Sequence, residues 1–435
     1  MTSTPQKIDI AIAGGGIGGL CLARGLLQYP YLNITVYEAT QKYLDIGGGL
    51  AFHGNAMRAL ELIDPELQAE YYRRATVMTE RDVEMATRVL VGDAVAEDGG
   101  DVLLAELGKA KGRKTVARSD LLDGLLSLVP EGVVRFGKRL VQISEAPTEN
   151  DAQAGSITLT FKDGTTAKAD VLIGCDGVHS ATRKYLLGPD HPAVGLKNHD
   201  GWAWVRRVVP AEEANALNER LLTYVPIFCG HGAFMNCMPL HFGKSLSVAV
   251  VQISKESRLA AVHSSEEGVQ EIPDHISTEH FVHWTKDAKD VATLVMREPI
   301  TDWKLADHDH APFYSRGNIC LVGDAAHATL PFNGQGAAQS IEDAAVLTAL
   351  FGHVMELRQA EVAFKAYEEV RKPRTQKVVD ISRAFGRIYA FAEEDTGDDL
   401  DKIRASLGMG AKYTNDIDLV AQNEEAVKRF LEIGR

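Results

Sequence analysis

Several classes of protein are excluded by what this sequence lacks. None of its apolar stretches approaches the roughly 20 residues that a membrane-spanning helix requires. The polar residues 1–8 lead directly into an apolar run, without the pattern of a secretory leader. There is no long repeat, no low-complexity run and no Pro- or Ser-rich linker. We therefore expect a soluble, cytoplasmic chain that has no membrane partner.

Cysteine and basic residues are also scarce. The five cysteines are scattered without a C-x-x-C pair, which indicates reduced, buried thiols and no zinc site. His308 and His310 lie close together, but such a pair is more typical of a loop than of a metal site. A total of 46 lysines and arginines against 60 aspartates and glutamates gives a net charge of −14. This balance argues against a broad basic surface for nucleic acid.

Glycine is abundant instead, and much of its total of 39 lies in three clusters, at 14–19, 47–49 and 334–336. The first cluster reads G-x-G-x-x-G, with Gly14, Gly16 and Gly19 between an apolar run and an apolar helical stretch. There, Gly14 permits a tight turn, Gly16 leaves room for a pyrophosphate, and Gly19 lets the helix pack on the strand. Glu38, after the next predicted strand, supplies a carboxylate for a ribose diol. The first 40 residues therefore predict a site for the adenosine half of a dinucleotide such as FAD or NAD.

The middle of the chain is rich in predicted strands. Residues 157–161 and 171–173 flank a turn at 162–165, which is typical of a hairpin. Further candidate strands fall within the stretch 190–300, and we expect this β-rich region to be inserted into the dinucleotide-binding domain. Before it, Ser119 or Asp120 is predicted to cap the N-terminus of a helix.

Two later turns follow buried strands in the same way as the first glycine cluster, namely Asp176-Gly177 and Gly323-Asp324. Together the three motifs resemble those of the single-component FAD-dependent aromatic hydroxylases, in particular the salicylate-hydroxylase-like branch. The resemblance runs over nearly the whole chain. It implies an α/β fold in which a Rossmann-type FAD-binding domain carries an inserted β-sheet substrate domain and a C-terminal helical region. The expected divisions are FAD-binding residues 1–188, substrate domain 189–300, resumed FAD-binding domain 301–392 and helical tail 393–435.

The resemblance also implies cofactor roles for particular residues. The first glycine cluster would hold the FAD pyrophosphate, and Glu38 would bind the ribose. Asp176 would belong to a segment shared by FAD and NAD(P)H, with Arg183 as its basic companion, and Asp324 would bind the ribityl chain. The remaining contacts expected for the cofactor come from Ile17, Ala51, Arg118, Gly334, Gly336 and Ala337. A capped turn at Asp176 and a surface ion pair at Arg118 are the plainer alternatives.

Arg206 is the candidate catalytic residue. It lies beside Arg207 in a predicted strand, so one of the two should point inward and the other outward. An inward arginine in a substrate wall would pair with a phenolate or carboxylate through charge-assisted hydrogen bonds. The alternative is a solvated strand arginine.

Two departures from the family pattern make the expected pocket less polar. Phe332 stands where salicylate hydroxylases usually have a histidine, and Met238 stands where they usually have a tyrosine. These changes favour a phenolic or heteroaromatic substrate that differs from salicylate or is bulkier.

The function implied is an FAD-dependent monooxygenase that uses NADH or NADPH and O2 to hydroxylate a small aromatic compound through a C4a-hydroperoxyflavin. Simple, decarboxylative and dearomatising outcomes all stay open, as do a monomer and a homodimer. The alternatives are a flavin-dependent epoxidase or other flavin oxidoreductase, and a non-catalytic FAD-binding protein. Substrate-stimulated oxidation of NAD(P)H distinguishes the first group from the last.

Overall fold

The computed structural model describes residues 7–43, 48–77, 84–96, 101–111, 114–145, 156–218, 221, 225–254, 276, 278–297, 301–302 and 305–435. The strands are β1 (Ile8–Ala13), β2 (Leu32–Tyr37), β3 (Gly49–Leu50), β4 (Thr76–Val77), β5 (Glu84–Val95), β6 (Asp101–Lys111), β7 (Lys114–Ala117), β8 (Val134–Arg135), β9 (Leu140–Glu145), β10 (Ile157–Phe161), β11 (Thr166–Ala169), β12 (Val171–Gly174), β13 (Leu196–Lys197), β14 (Trp202–Pro210), β15 (Pro226–Gly230), β16 (Ala233–Leu240), β17 (Ser245–Ile253), β18 (Thr301–Asp302), β19 (Asp307–His308), β20 (Ser315–Arg316) and β21 (Ile319–Leu321). The helices are α1 (Ile17–Leu26), α2 (Gly54–Ile63), α3 (Pro65–Arg74), α4 (Arg118–Ser127), α5 (Ala181–Leu187), α6 (Lys286–Val295), α7 (Asp324–His327), α8 (Gly336–Phe351), α9 (Arg358–Tyr389), α10 (Leu400–Asn415) and α11 (Leu419–Ile433).

A mainly parallel sheet organises the first of two layers. Among the described residues its strand order is β20-β21-β12-β1-β2-β8, and β1 runs parallel to both β2 and β12. The apolar side chains of β1 and β12 are buried on both faces, as helix-covered parallel strands require. The carboxyl ends of β1, β12 and β21 therefore lie side by side, and each leads into one of the three turns singled out from the sequence.

A second, mostly antiparallel sheet faces this edge. Its order among the described residues is β18-β14-β17-β16-β15-β5-β6. Side chains alternate between its two faces. One face, with Val205, Val248 and Val250, packs with α6 in a separate apolar core. The other face is turned toward the parallel sheet, so the two sheets enclose the space between them.

The second sheet takes strands from two distant parts of the chain. Strands β14 to β17 come from the β-rich stretch and β18 follows it directly, whereas β5 and β6 come from residues 84–111. That segment lies inside the range 1–188 that the sequence assigned to the FAD-binding domain. The two stretches meet where β15 pairs in parallel with β5. Pairing over such a sequence separation leaves no local signal in the chain.

Two local predictions are wrong. The turn at 162–165 joins β10 to β11, not to residues 171–173, which form β12 in the parallel sheet. All four residues of β12 are buried, so this run suits a strand covered on both faces. Helix α4 begins at Arg118 after Ala117, with no side-chain cap from Ser119 or Asp120.

The C-terminal helices close the remaining side. Helix α9 packs on α8 and α11, and α10 packs on β6 of the second sheet. Within the described residues, no helix has both the length and the apolar character to cross a membrane.

Candidate active site

A cavity of about 500 Å³ lies between the two sheets. Its FAD-domain wall consists of the turns after β1, β12 and β21 and the N-termini of α1 and α8. Its sheet wall consists of the inward side chains of β14, β15, β16 and β17, with contributions from β5 and α10. Most of the residues singled out from the sequence line this one space.

In the first glycine turn, Gly14, Gly16 and Gly19 are each glycine for a different physical reason. Gly14 has φ +103°, and a Cβ there would overlap the backbone oxygen of Cys175. A Cβ at Gly19 would overlap the backbone oxygen of Gly14. At Gly16 a Cβ would meet nothing within 4 Å, because this residue faces the cavity. Gly14 and Gly19 therefore allow the strand and helix to approach, while Gly16 keeps the space open.

Glu38 lies behind the glycine turn, away from the lining of the cavity. Its Oε2 accepts a hydrogen bond from the Gly15 N–H at 2.7 Å, and its Oε1 accepts from the Thr40 N–H at 2.8 Å. The carboxylate thus holds the turn in place. Oε1 also accepts from the Thr40 hydroxyl at 2.9 Å, which leaves Oε2 with a further lone pair. The contact of Glu38 with a ribose stays a prediction.

Ala51, Arg118 and Asp324 all line the cavity. Arg118 starts α4 next to β3, where its N–H donates to the oxygen of Gly48 at 3.3 Å. Asp324 is open to the cavity but otherwise surrounded by protein. Burial raises the pKa of its carboxyl, and the nearby charges of His327 and Arg118 oppose that rise.

The Asp176 side chain forms its hydrogen bonds within its own turn. Its carboxylate accepts hydrogen bonds from the Ser180 hydroxyl at 2.5 Å and from the Thr182 N–H at 2.9 Å, which holds the start of α5. The neighbouring Gly177 (φ +75°) lines the cavity instead. Arg183 is 1% exposed and donates to the backbone oxygen of Ala325 at 3.1 Å, and burial lowers its pKa to about 10. Asp176 and Arg183 therefore brace two of the turns against each other.

The N-terminus of α8 also opens on the cavity. Gly334 (φ +66°), Gly336 and Ala337 line it, and no side chain caps the helix. Helix α1 is likewise uncapped by any side chain, and neither helix has an acidic residue in its first turn. Two helix ends with free N–H groups and positive dipole ends thus face one space. This arrangement fits FAD, which has anionic phosphates and an electron-rich ring edge.

On the sheet wall, Arg206 and Arg207 point to opposite faces. Arg207 forms an ion pair with Glu213 at 3.1 Å on the outer face. Arg206 lines the cavity, with its guanidinium carbon 5.3 Å from the centre of the Trp204 ring. Burial lowers the pKa of Arg206 to about 10, so it stays cationic at neutral pH. It reaches across to the FAD-domain wall, where a Cβ at Gly48 would lie 2.5 Å from its Nη1.

The two departures from the family pattern both line the cavity. Phe332 is buried in an aromatic cluster, with its ring centre 5.1 Å from those of Trp202 and Phe234. Met238 lies against Gly49, where any side chain would overlap its sulfur atom. Both positions therefore give the cavity an apolar lining. Sequence reasoning did not foresee that Gly48 and Gly49 make room for protein side chains.

A buried ionic cluster beneath α8 was also missed. Arg371 donates to Asp343 at 2.7 Å and to Glu342 at 2.6 Å, and all three side chains are fully buried. Burial alone would raise the pKa of Asp343, but His327 and Arg371 together lower it below its usual range. Arg374 joins Glu342 to the last turn of α10 through the Thr414 oxygen at 3.0 Å. The only signal in the sequence was a pair of acidic residues inside an apolar helix.

His308 corrects the expectation of a loop histidine. It lies in β19, is 2% exposed, and accepts a hydrogen bond from the Ala328 N–H while its Nδ1 donates to the oxygen of Asp309. Burial and the charge of Arg183 lower its pKa to about 4. Within the described parts of the chain, no group of three or more His, Cys, Asp or Glu is arranged to hold a metal ion.

Comparison with known proteins agrees with this architecture. The family described as "FAD binding domain" matches residues 7–382. The 6-methylsalicylate 1-monooxygenase of Aspergillus terreus is 35% identical over 98% of this chain and 93% of its own length. The salicylate hydroxylase of Pseudomonas putida is 29% identical over 99% of this chain and 97% of its own. A solved salicylate hydroxylase substrate complex has a TM-score of 0.75 at 26% identity, covering 98% of this chain and 99% of that one. The predicted α/β fold with a C-terminal helical region is confirmed.

Proposed function

This chain belongs to the FAD-binding-domain family and is an FAD-dependent monooxygenase, and from that premise we propose that it hydroxylates an aromatic acid of the salicylate type. The observation that carries the proposal is the position of Arg206. Among the described residues it is the cation that the sheet wall presents to the cavity, and its guanidinium reaches Gly48, just before β3.

The FAD-domain wall would hold FAD through its backbone. The α1 N-terminus with Gly16 and Ile17 would bind the pyrophosphate, and Asp324 and Arg118 would bind the chain between phosphate and ring. The α8 N-terminus would favour negative charge on the ring. When bound, FAD supplies the redox and oxygen chemistry.

The sheet wall would bind and orient the substrate. Arg206 pairs with its carboxylate or phenolate, and a nearby cation stabilises the ionised form of either group. The aromatic cluster around Phe332 excludes water from the ring carbon that reacts. Trp204 lies beside the guanidinium and limits how far it can turn.

Decarboxylative hydroxylation is the outcome that we favour. The name of one relative, 6-methylsalicylate 1-monooxygenase, places the oxygen on ring carbon 1, which in a salicylate bears the carboxylate. A new C–O bond at that carbon requires the carboxylate to leave as CO2. NADH or NADPH would supply the electrons and O2 the oxygen atom. A cytoplasmic location and a monomeric or homodimeric state stay predictions.

The test is NAD(P)H consumption by the purified flavoprotein with a panel of salicylates, other phenolic acids and hydroxypyridines, while product, CO2 and peroxide are quantified. Stimulated oxidation with one equivalent each of CO2 and hydroxylated product supports the proposal. An oxygenated product without CO2 contradicts the decarboxylative step alone. If FAD is bound and no compound stimulates oxidation, the proposed substrate class is wrong.

A further inference from the structure

One row of the sheet wall carries two polar side chains with a small residue between them. Arg206 of β14 is paired with Ala249 of β17, and Ala249 is paired in turn with Asn236 of β16. Residues directly opposite each other in a sheet point to the same face, and all three line the cavity. Arg206 and Asn236 are therefore two strand spacings apart, about 10 Å between backbones. Only the methyl group of Ala249 lies between them.

The neighbouring rows are bulkier and mostly apolar. On one side Trp204, Val251 and Phe234 form the adjacent row. On the other side Met238 is paired with Ser247. The row through Ala249 is thus a shallow groove with apolar sides, a low floor and one polar side chain at each end. Its shape and polarity suit a flat ring that has polar groups on two opposite edges.

The backbone of Asn236 is paired on both sides in the sheet, but its side chain has no partner among the described residues. Its side chain is half-buried, and it makes no hydrogen bond with any of the described residues. Asparagine is disfavoured inside strands, and an amide without a partner in an apolar wall costs free energy. The amide is therefore available to a molecule in the groove.

We propose that Asn236 is a second substrate-binding residue, which selects aromatic acids that carry a neutral hydroxyl or carbonyl group across the ring from the anionic group. This inference rests on the proposed function, because it assumes that Arg206 binds the anionic group. The Asn236 amide can accept from a hydroxyl or donate to a carbonyl. The ring then lies over Ala249, where a larger side chain would fill the groove.

Two probes that differ by one hydroxyl test the assignment: salicylate and 2,4-dihydroxybenzoate, whose second hydroxyl lies opposite the carboxylate. Dissociation constants come from the change in flavin absorbance of the holoenzyme, and kcat/KM comes from turnover. The wild-type protein should bind 2,4-dihydroxybenzoate about tenfold more tightly than salicylate, as one added hydrogen bond allows. The variant Asn236→Leu should reduce that ratio to about one or below.

Asn33→Leu is the matched control, since Asn33 is exposed on β2 and, within the described parts of the chain, its side chain bonds only to Asp9. It should keep the wild-type ratio. If Asn236→Leu does not retain FAD, Asn236→Ser decides the matter, and its shorter side chain should lower the ratio at least threefold. A wild-type ratio near one, or a ratio that survives these Asn236 variants, overturns the inference.

Binding and turnover separate the two proposals. A tenfold binding ratio without any hydroxylated product contradicts the proposed function and leaves the role of Asn236 standing. Turnover of both compounds with a ratio unaffected by Asn236 contradicts only the further inference. If neither compound binds the wild-type holoenzyme, both are wrong.

Discussion

The two walls of the cavity are built in different ways. The FAD-domain wall is mainly backbone, because glycine turns and two uncapped helix ends face the space. The sheet wall is made of side chains from strands that are far apart in the sequence, such as Thr87 of β5 and Arg206 of β14. A binding site formed by backbone atoms tolerates substitution of side chains that do not contact the ligand. A side-chain wall changes with each substitution, so we expect substrate choice to vary there while cofactor binding persists.

The largest expected effect comes from disrupting the buried ionic cluster that supports α8 in the FAD-domain wall. Arg371→Met leaves Glu342 and Asp343 buried without their main counter-charge, which should cost about 3–5 kcal/mol of unfolding free energy. Urea unfolding of the apoprotein measures this loss. The control is Lys365→Met, which removes a half-exposed pair with Glu361 and should cost under about 0.5 kcal/mol. Equal losses in the two variants would mean that the cluster does not support α8.

The second prediction separates the walls directly. Arg206→Met should lower kcat/KM for aromatic acids about a hundredfold, near 3 kcal/mol, because a charged hydrogen-bonding partner of the substrate is lost. The FAD content should stay at the wild-type level. Arg207→Met removes the neighbouring charge on the outer face and should leave kcat/KM within about twofold. Loss of FAD from Arg206→Met would instead place this residue in the cofactor site.

The third prediction distinguishes the glycine that allows close packing from the glycine that leaves room for the cofactor. Gly19→Ala places a methyl group against the Gly14 oxygen and should destabilise the apoprotein by about 1–3 kcal/mol. Gly16→Ala meets open space, so the apoprotein should melt at the wild-type temperature while FAD affinity falls. Gly408→Ala, at an exposed site in α10 where a Cβ also meets nothing, is the control and should change neither quantity for the worse. Normal FAD affinity in Gly16→Ala would contradict the proposal that FAD binds to the backbone of this wall.

The last prediction concerns the pH dependence of stability. Because the folded pKa of His308 is about 4, against about 6.5 when unfolded, the unfolded state binds an extra proton between these values. Its contribution to stability is full above pH 6.5 and falls with pH, by about 2 kcal/mol at pH 5. Denaturant unfolding at pH 8 and pH 5 measures this. His308→Gln should lose that part of the slope, and an unchanged slope would exclude His308 as its source.

The two walls also differed in how well the sequence predicted them, because one is built from contiguous turns and the other from strands that are far apart in the chain. Gly14, Gly16 and Gly19 lie within one turn, so their spacing alone indicated the strand, the turn and the helix. Alternation along one strand is local, so it predicted that Arg206 and Arg207 point to opposite faces, and the family resemblance selected Arg206 as the inward one. The partner of β10 was wrong because residues 166–169 and 171–173 both follow the same turn, and only burial on both faces distinguishes them. The ionic cluster joins four helices and had no contiguous motif.

Local pattern was sufficient for the first β-α-β unit and its glycine turn, because both depend on neighbours within about 20 residues. The tertiary structure alone decided which side chains meet across the cavity. It brought β5 beside β15, aligned Arg206, Ala249 and Asn236 in one row, and buried Arg371 against Asp343. These contacts depend on strand register and helix packing, which are set by the burial of whole faces and not by any short stretch of sequence.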